Sequence, residues 1–294
     1  MFTGVYTAFI TPFDADGKID FTALTDLLDR QIEAGINGLV LLGTTAETAT
    51  LTGDEKKAVL DAAVRHINGR VPFIIGAGTN ATATTVEQIR LAKAYRPEGV
   101  LVVTPYYNKP NPAGLIGHFQ AAGAEGVPLV LYHIPGRTGL KVPAAVMDEL
   151  LAAVPQIKAV KESDYDWSGV TDFAVRHTGR VQQLCGNDDL FTHFLAMGAS
   201  GIISAAANVL APAFVHIYKT FQTQGALAAW EAFRPVYPLI KACYWETNPV
   251  CVKYLLAQRG LCRETVRLPL GPVRAETAQR LTALAAQAKA DLFI

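Results

Sequence analysis

Residues 38–47 read GLVLLGTTAE, an uncharged apolar run that ends in small and polar residues. A strand with one face in water alternates between apolar and polar residues, whereas a strand covered on both faces is apolar throughout. This run has no such alternation, and Thr44 and Thr45 come where the strand would end. The stretch therefore predicts one strand of a parallel sheet that is covered by helices on both faces.

Similar runs recur through the first two thirds of the chain, and segments with helical i, i+3, i+4 spacing lie between them. Thr52 and Thr82 are the expected starts of two of these helices. Eight strand–helix units predict an α/β fold, a (β/α)8 TIM barrel. A doubly wound open sheet is the alternative, but it usually has fewer strands and a nucleotide motif. The predicted strands lie near 4–12, 38–43, 72–78, 99–105, 128–134, 157–163, 181–187 and 201–207.

The last 70 residues carry no strand pattern. Helices are predicted at 226–244, 249–257 and 275–290. We therefore expect a catalytic barrel domain at 1–224 and a C-terminal helical domain at 225–294. No low-complexity stretch separates the two, so the helical appendage is expected to pack on the barrel.

Composition excludes several classes of protein. The 294 residues include 26 basic and 26 acidic side chains, and a protein without net charge or a basic patch is not expected to bind nucleic acid. With 50% hydrophobic and 18% charged residues, the chain is expected to be globular. No apolar run approaches the roughly 20 residues that cross a bilayer, and the N-terminus does not resemble a secretion signal. A cytoplasmic enzyme fits these features.

No cofactor or metal is expected. The stretch Gly76–Ala81 reads GAGTNA and matches a permissive dinucleotide fingerprint, but the acidic residue that should follow the next strand is missing. The six histidines show no metal-binding spacing, and the four cysteines are too scattered for a zinc site or a disulfide framework.

Barrel enzymes place their sites at the carboxyl ends of the strands. On the sixth strand, alternation puts Ile157, Ala159 and Lys161 on one face and Lys158 on the other. If the first face is the barrel interior, Lys161 is an amine among apolar side chains. Desolvation and neighbouring cations then favour the neutral amine that forms a Schiff base. Alternatively, Lys161 reaches solvent or pairs with Glu162.

Hydroxyl groups and one guanidinium follow the other strands. Thr44, Thr45, Tyr107 and Tyr132 could relay protons to a carbinolamine or an enamine, or they could cap helices and pack. Arg137, in a loop constrained by glycine and proline, could bind a substrate carboxylate, although a surface role is more common. Convergence at one end of a barrel favours the functional interpretation.

The order of these motifs resembles the dihydrodipicolinate synthase family of pyruvate-dependent class I aldolases. GTTxE, TPYYN, YxxPxRTG and the lysine of the sixth strand coincide, and the resemblance covers essentially the whole chain. It implies a lyase of lysine and diaminopimelate biosynthesis that condenses pyruvate with aspartate 4-semialdehyde. Members are commonly homotetramers, built as dimers of tight dimers.

The resemblance also implies a role for each matching residue. Lys161 would form the Schiff base, Thr44 and Tyr132 would relay protons, and Tyr107 would enter from a neighbouring protomer. Thr45 would contact the pyruvate carboxylate and Arg137 the semialdehyde carboxylate. Gly186 and Ile203 would line the pocket.

Some positions depart from the family pattern. Ala46 stands where GTTGE is usual, His133 replaces the asparagine of YNVP, and Thr247 replaces a frequent glutamate. A histidine next to Tyr132 either tunes the pocket or packs as a structural group. At the site where related enzymes bind the inhibitor lysine, Gly53, Lys56 and Thr84 replace the usual histidines and glutamate. Weak or absent inhibition by lysine is expected, because the lysine ammonium would lack its acidic partner.

Two competing functions stay open at this point. One is a sister activity on the same scaffold, such as N-acetylneuraminate lyase or another 2-oxo-acid aldolase or dehydratase. Sugar-acid lyases generally lack an arginine at the position of Arg137. The other is a barrel without catalytic activity that binds a metabolite and does not need the amine of Lys161.

Overall fold

A computed structural model describes all 294 residues. Eight parallel strands form a closed barrel in chain order, which confirms the predicted (β/α)8 architecture. Each strand lies within its predicted segment, and several end earlier than predicted, as β1 does at Ala8. The strands are β1 (Gly4–Ala8), β2 (Gly38–Leu41), β3 (Phe73–Gly76), β4 (Gly99–Val103), β5 (Leu129–His133), β6 (Ile157–Glu162), β7 (Gln182–Cys185) and β8 (Gly201–Ser204).

Thirteen α-helices accompany the strands, and none combines the length and apolar character needed to cross a bilayer. The helices are α1 (Phe21–Glu33), α2 (Gly53–Ile67), α3 (Thr82–Lys93), α4 (Pro112–Gly123), α5 (Pro135–Thr138), α6 (Ala144–Ala153), α7 (Trp167–His177), α8 (Phe191–Ala196), α9 (Ala207–Gln224), α10 (Ala226–Phe233), α11 (Tyr237–Ala242), α12 (Val250–Gln258) and α13 (Ala275–Ala286).

Contacts divide the chain into two compact units. One comprises Met1–Thr3 and Phe73–Ile203, and the other comprises Gly4–Pro72 and Ser204–Ile294. We refer to them as the central unit and the terminal unit. The division into domains at 1–224 and 225–294 stays a prediction.

In the central unit, strands β4 to β7 pair in chain order, with one shift of register between Leu129 and Val130 where β5 pairs with β6. Val103 pairs with Tyr132, Tyr132 pairs with Lys161, and Lys161 pairs with Leu184. Paired residues of parallel strands point to the same face of a sheet, so Tyr132 and Lys161 share a face. This register brings two predicted site residues side by side.

In the terminal unit, buried amides join α9 to β1. The Asn208 side chain donates to the Ala8 carbonyl at 2.7 Å and accepts from the Ile10 amide at 3.0 Å. The Gln31 side chain accepts from the Thr7 hydroxyl at 2.7 Å and donates to the Ala207 carbonyl at 3.0 Å. These bonds satisfy polar groups that burial would otherwise penalise.

Local predictions had mixed outcomes. The start of α2 is confirmed: the Thr52 hydroxyl accepts from the Glu55 amide, and the Glu55 carboxylate accepts from the Thr52 amide. The start at Thr82 is also confirmed, since α3 begins at this residue; Ala81 occupies the cap position, and the Thr82 hydroxyl lies 3.0 Å from Nδ1 of His118.

The helix predicted at 226–244 is wrong, because it is two helices, α10 and α11. Pro235 and Pro238 lack amide hydrogens and interrupt the helical ladder, and Pro238 is tolerated in the first turn of α11. The predicted strand 201–207 ends at Ser204, and Ala207 already begins α9.

Candidate active site

Lys161 lies near the carboxyl end of β6 with its side chain buried. Residues 157, 159 and 161 are buried, whereas Lys158 between them is exposed, as the alternation predicts. Lys161 is only 6% exposed, and its ammonium lies 4.1 Å from the centre of the Tyr132 ring. The alternative of a solvent-exposed Lys161 is therefore wrong for this structure.

Lys161 has no carboxylate partner. Glu162, the next residue, lies on the opposite face of β6 and hydrogen-bonds to His133 instead. The amine lies against the face of the Tyr132 ring rather than beside an acidic group. This is the environment in which an amine can act as a nucleophile.

Gly186 lies against the stem of Lys161. A Cβ at this position would lie 2.0 Å from Oγ of Ser163, 2.9 Å from the Glu162 carbonyl and 3.1 Å from Cε of Lys161. No side chain fits there, so glycine is required for the close approach. The structure thus brings Lys161, Tyr132 and Gly186 together. Ile203 is buried as the second-last residue of β8.

Cys185, at the end of β7, is the other potential nucleophile nearby. Burial raises the pKa of its thiol well above the ordinary value, and Sγ donates to the Asn187 carbonyl at 3.1 Å. A thiol in this state supplies no thiolate, so Lys161 is the better candidate.

His133 is held on both sides of its ring. Nδ1 lies 2.9 Å from both carboxylate oxygens of Glu162, and Nε2 accepts from the Val142 amide at 3.2 Å. Since Nε2 accepts, the ring proton of the neutral form is on Nδ1 and is donated to Glu162. Both nitrogens have protein partners, so the geometry favours a structural role for His133 over one in tuning the pocket.

Arg137 and Tyr107 are exposed, whereas Lys161 and Tyr132 are buried. Arg137 is exposed in the short helix α5, which ends at Gly139 with a positive φ of 65°. Tyr107, in the segment after β4, is 88% exposed and has a φ of +70°, a region that non-glycine residues rarely adopt. Tyr107 thus presents a large aromatic side chain at the surface on a strained backbone.

Thr44 and Thr45 belong to the terminal unit, in a 3₁₀ turn that follows β2 (Thr44–Ala46). Thr44 is exposed, whereas Thr45 and Ala46 are buried. Oγ1 of Thr45 accepts a hydrogen bond from Nδ2 of Asn248 at 2.9 Å. The sequence did not indicate Asn248 as a site residue, because its partner lies 203 positions away in the chain.

Glu47 follows this turn in a left-handed conformation with a φ of 54°. Its carboxylate is buried and binds Nζ of Lys253 at 2.5 Å and the Arg267 amide at 2.8 Å. The glutamate of GTTxE therefore anchors the turn, and Lys253 and Arg267 are residues that sequence reasoning missed. An acidic residue closing a buried turn was the one available signal, since such a charge requires a partner.

The fold and these motifs agree with known proteins. A model of the dihydrodipicolinate synthetase family matches residues 1–288. The chain belongs to this family. The four family motifs follow β2, β4 and β5 or lie on β6, as a barrel enzyme requires.

Individual members of the family align over nearly the whole chain. A 4-hydroxy-tetrahydrodipicolinate synthase of Salinibacter ruber is 36% identical over 287 residues, which cover 97% of this chain and 95% of that protein. The solved structure of the 4-hydroxy-tetrahydrodipicolinate synthase from Methylacidiphilum fumariolicum SolV has a TM-score of 0.95 at 33% identity. The match covers 99% of this chain and 97% of that one. A structure described as the first monomeric dihydrodipicolinate synthase variant has a TM-score of 0.93 at 33% identity, with 97% of this chain and 96% of that one covered.

Proposed function

We propose that this protein is a 4-hydroxy-tetrahydrodipicolinate synthase that condenses pyruvate with L-aspartate 4-semialdehyde. The observation that carries the proposal is the amine of Lys161, buried without a carboxylate partner over the Tyr132 ring and against Gly186. Family membership over residues 1–288 supports the same reaction. The product would serve lysine and diaminopimelate biosynthesis.

The chemistry begins with addition of the Lys161 amine to the ketone carbon of pyruvate. The carbinolamine loses water to give an iminium ion, and loss of a methyl proton then gives an enamine. The enamine carbon attacks the aldehyde carbon of the semialdehyde, whose oxygen takes up a proton. The amino group of the second substrate then displaces Lys161 from the iminium carbon, which closes the ring and releases the enzyme.

Each remaining site residue has a proposed part in this sequence. Thr44 and Tyr132 relay protons, and Tyr107 extends the relay from a neighbouring protomer. Thr45 contacts the pyruvate carboxylate, and the planar fork of Arg137 binds the semialdehyde carboxylate. Gly186 and Ile203 line the pocket. The resemblance of the motifs and the carboxyl-end placement typical of barrel enzymes support these roles.

Borohydride reduction in the presence of pyruvate, followed by peptide mapping, tests the proposal. An adduct on the peptide that contains Lys161 is expected. No adduct would instead favour a metabolite-binding barrel without catalysis. A coupled assay with the semialdehyde and with sialic acid separates the synthase from an N-acetylneuraminate lyase, and turnover of sialic acid alone would overturn the assignment.

We also propose a homotetramer built as a dimer of dimers. The high exposure and left-handed backbone of Tyr107 support at least a dimer, because they present a large aromatic side chain at the surface. Sedimentation analysis is expected to give four times the chain mass, and a monomer that retains full activity would contradict the shared site. A cytoplasmic location is proposed from the four free, scattered cysteines.

Inhibition by lysine is proposed to be weak or absent. Thr84 is exposed on α3 and supplies no carboxylate where feedback-inhibited relatives have a glutamate. An effector ammonium would lose a charge-assisted hydrogen bond there. An inhibition curve with a midpoint well below millimolar lysine would refute this expectation.

A further inference from the structure

We propose that Asn248 is a positioning residue that aims the hydroxyl proton of Thr45 at the carboxylate of pyruvate. This inference rests on the proposed function, in which Thr45 contacts that carboxylate. It adds a residue from the C-terminal helical segment to the machinery that recognises the keto acid.

The direction of the hydrogen bond is the first step. Nδ2 of Asn248 lies 2.9 Å from Oγ1 of Thr45, and both side chains are buried, at 8% and 3% exposure. An amide nitrogen can only donate, so the Thr45 oxygen accepts. The single hydroxyl proton of Thr45 must then point away from Asn248 and is available to another acceptor.

The second step is the strength of that donor. A hydroxyl that accepts one hydrogen bond becomes a better donor in a second, because chains of hydrogen bonds polarise one another. A carboxylate acceptor gains more from such a donor than a neutral group does, since charge-assisted hydrogen bonds are shorter and stronger. Asn248 therefore both directs and strengthens the donor of Thr45.

The third step is rigidity, since an aimed proton requires a fixed oxygen. Two backbone hydrogen bonds close the turn that contains Thr45. The Ala46 amide donates to the Gly43 carbonyl at 3.1 Å, and the Glu47 amide donates to the Thr44 carbonyl at 3.0 Å. Lys253 binds Glu47 at the end of this turn, at 2.5 Å. Asn248 and Lys253, five positions apart at the start of α12, thus hold the turn at Thr45 and at Glu47.

Asn248→Asp is the strongest perturbation, because it keeps the size of the side chain but replaces the amide donor with an acceptor and adds a negative charge, so its effect is interpreted together with that of the uncharged Asn248→Ala. A carboxylate accepts and cannot donate, so the hydroxyl of Thr45 would turn toward it and away from pyruvate. We expect the KM for pyruvate to rise about 10- to 100-fold, because this is the effect of losing one hydrogen bond to a charged group. The KM for the semialdehyde and the kcat at saturating pyruvate are expected to stay within about threefold.

A double-variant cycle adds a readout that a merely structural role would not give. Thr45→Val removes the proton that Asn248 is proposed to aim, so Asn248→Ala should raise the KM for pyruvate about three- to tenfold in the wild type and much less in Thr45→Val. Asn248→Ala also carries the test if Asn248→Asp does not fold. Additive effects of the two substitutions, or equal rises in both KM values, would overturn the proposal.

The outcome can be separated from that of the proposed function. Wild-type protein that gives no borohydride adduct with pyruvate refutes the Schiff-base function itself. Wild-type protein that gives the adduct, together with an Asn248→Asp variant whose KM for pyruvate is unchanged, refutes the role of Asn248 alone.

Discussion

Lys161 in the central unit and Lys253 in the terminal unit are both buried, yet their surroundings differ in one respect. Lys253 is fully buried, binds the Glu47 carboxylate at 2.5 Å and the Thr265 carbonyl at 2.9 Å, and lies 4.0 Å from the centre of the Phe13 ring. Lys161 also lies over an aromatic ring, that of Tyr132, but has no carboxylate.

The comparison shows that burial alone does not identify a nucleophilic lysine. Burial lowers the pKa of the Lys253 ammonium, while Glu47 beside it acts in the opposite direction and favours the charged form. A lysine in such a pair holds structure together, because removing either charge leaves the other buried without compensation. Lys161 lacks that partner, which supports its proposed role as the Schiff-base lysine.

Replacing each lysine should therefore have a different consequence, and the largest is expected at Lys161. Lys161→Ala should lower kcat by at least about 10³-fold, because no other amine can form the covalent intermediate. The coupled assay measures this loss, and circular dichroism checks the fold. Lys158→Ala, on the same strand but exposed, is the matched control and should keep full activity. Comparable losses in both variants would break the comparison.

Lys253→Met should instead act on stability. The Glu47 carboxylate would keep the Arg267 amide but lose its ion-pair partner, which costs about 3–5 kcal/mol for a buried pair. The urea midpoint measures the change, and Lys158→Met provides the exposed control. Folded Lys253→Met is still expected to form the pyruvate adduct on Lys161. An unchanged midpoint would show that the pair does not carry this part of the fold.

His133→Ala tests the buried pair of His133 and Glu162, the residue that follows Lys161 in the chain. The substitution removes the donor to Glu162 and leaves the Val142 amide without its acceptor, which is expected to cost about 1–3 kcal/mol. His216→Ala, an exposed histidine on α9, should change the urea midpoint little. A large loss of kcat in His133→Ala with no loss of stability would favour the catalytic role that the sequence left open.

The sequence predicted the parts of the molecule that depend on local pattern. Recurring runs rich in Val, Ile and Leu identified the strands, and alternation along β6 separated Lys161 from Lys158. The pair Thr52 and Glu55 identified the start of α2, since a capping box is formed within four residues. These signals are local and do not require knowledge of the rest of the chain.

Long-range partners could not be predicted. Lys253 is the one charged residue in the apolar stretch 250–256, which indicates that it must be paired when buried, but Glu47 lies 206 positions away. The contact between Asn248 and Thr45 likewise joins residues that are far apart in the sequence, 203 positions from each other. The aligned family motifs carried the functional assignment, while the residues that hold those motifs in place required the structure.

The smallest expected effect concerns the outer part of the cluster around Lys253. The Arg267 guanidinium binds both oxygens of Glu55, at 2.6 and 2.8 Å, and these hydrogen bonds lower the pKa of Glu55 to about 2. A pKa lower in the folded than in the unfolded chain means that the stabilisation is complete above about pH 4.5 and is lost as the pH falls toward 2.

Glu55→Gln retains the capping geometry of α2 but removes the charge, so it isolates this contribution. Because the pair is partly exposed, we expect a loss of about 1 kcal/mol or less at pH 7, seen as a lower urea midpoint. The difference from wild type should shrink as the pH falls from about 4.5 toward 2, whereas Asp54→Asn, at the exposed neighbouring residue, should show little difference at pH 7. A difference that stays constant with pH would mean that Glu55 acts through packing. The ion pair of Glu55 with Arg267 would then not contribute to stability, in contrast to that of Glu47 with Lys253.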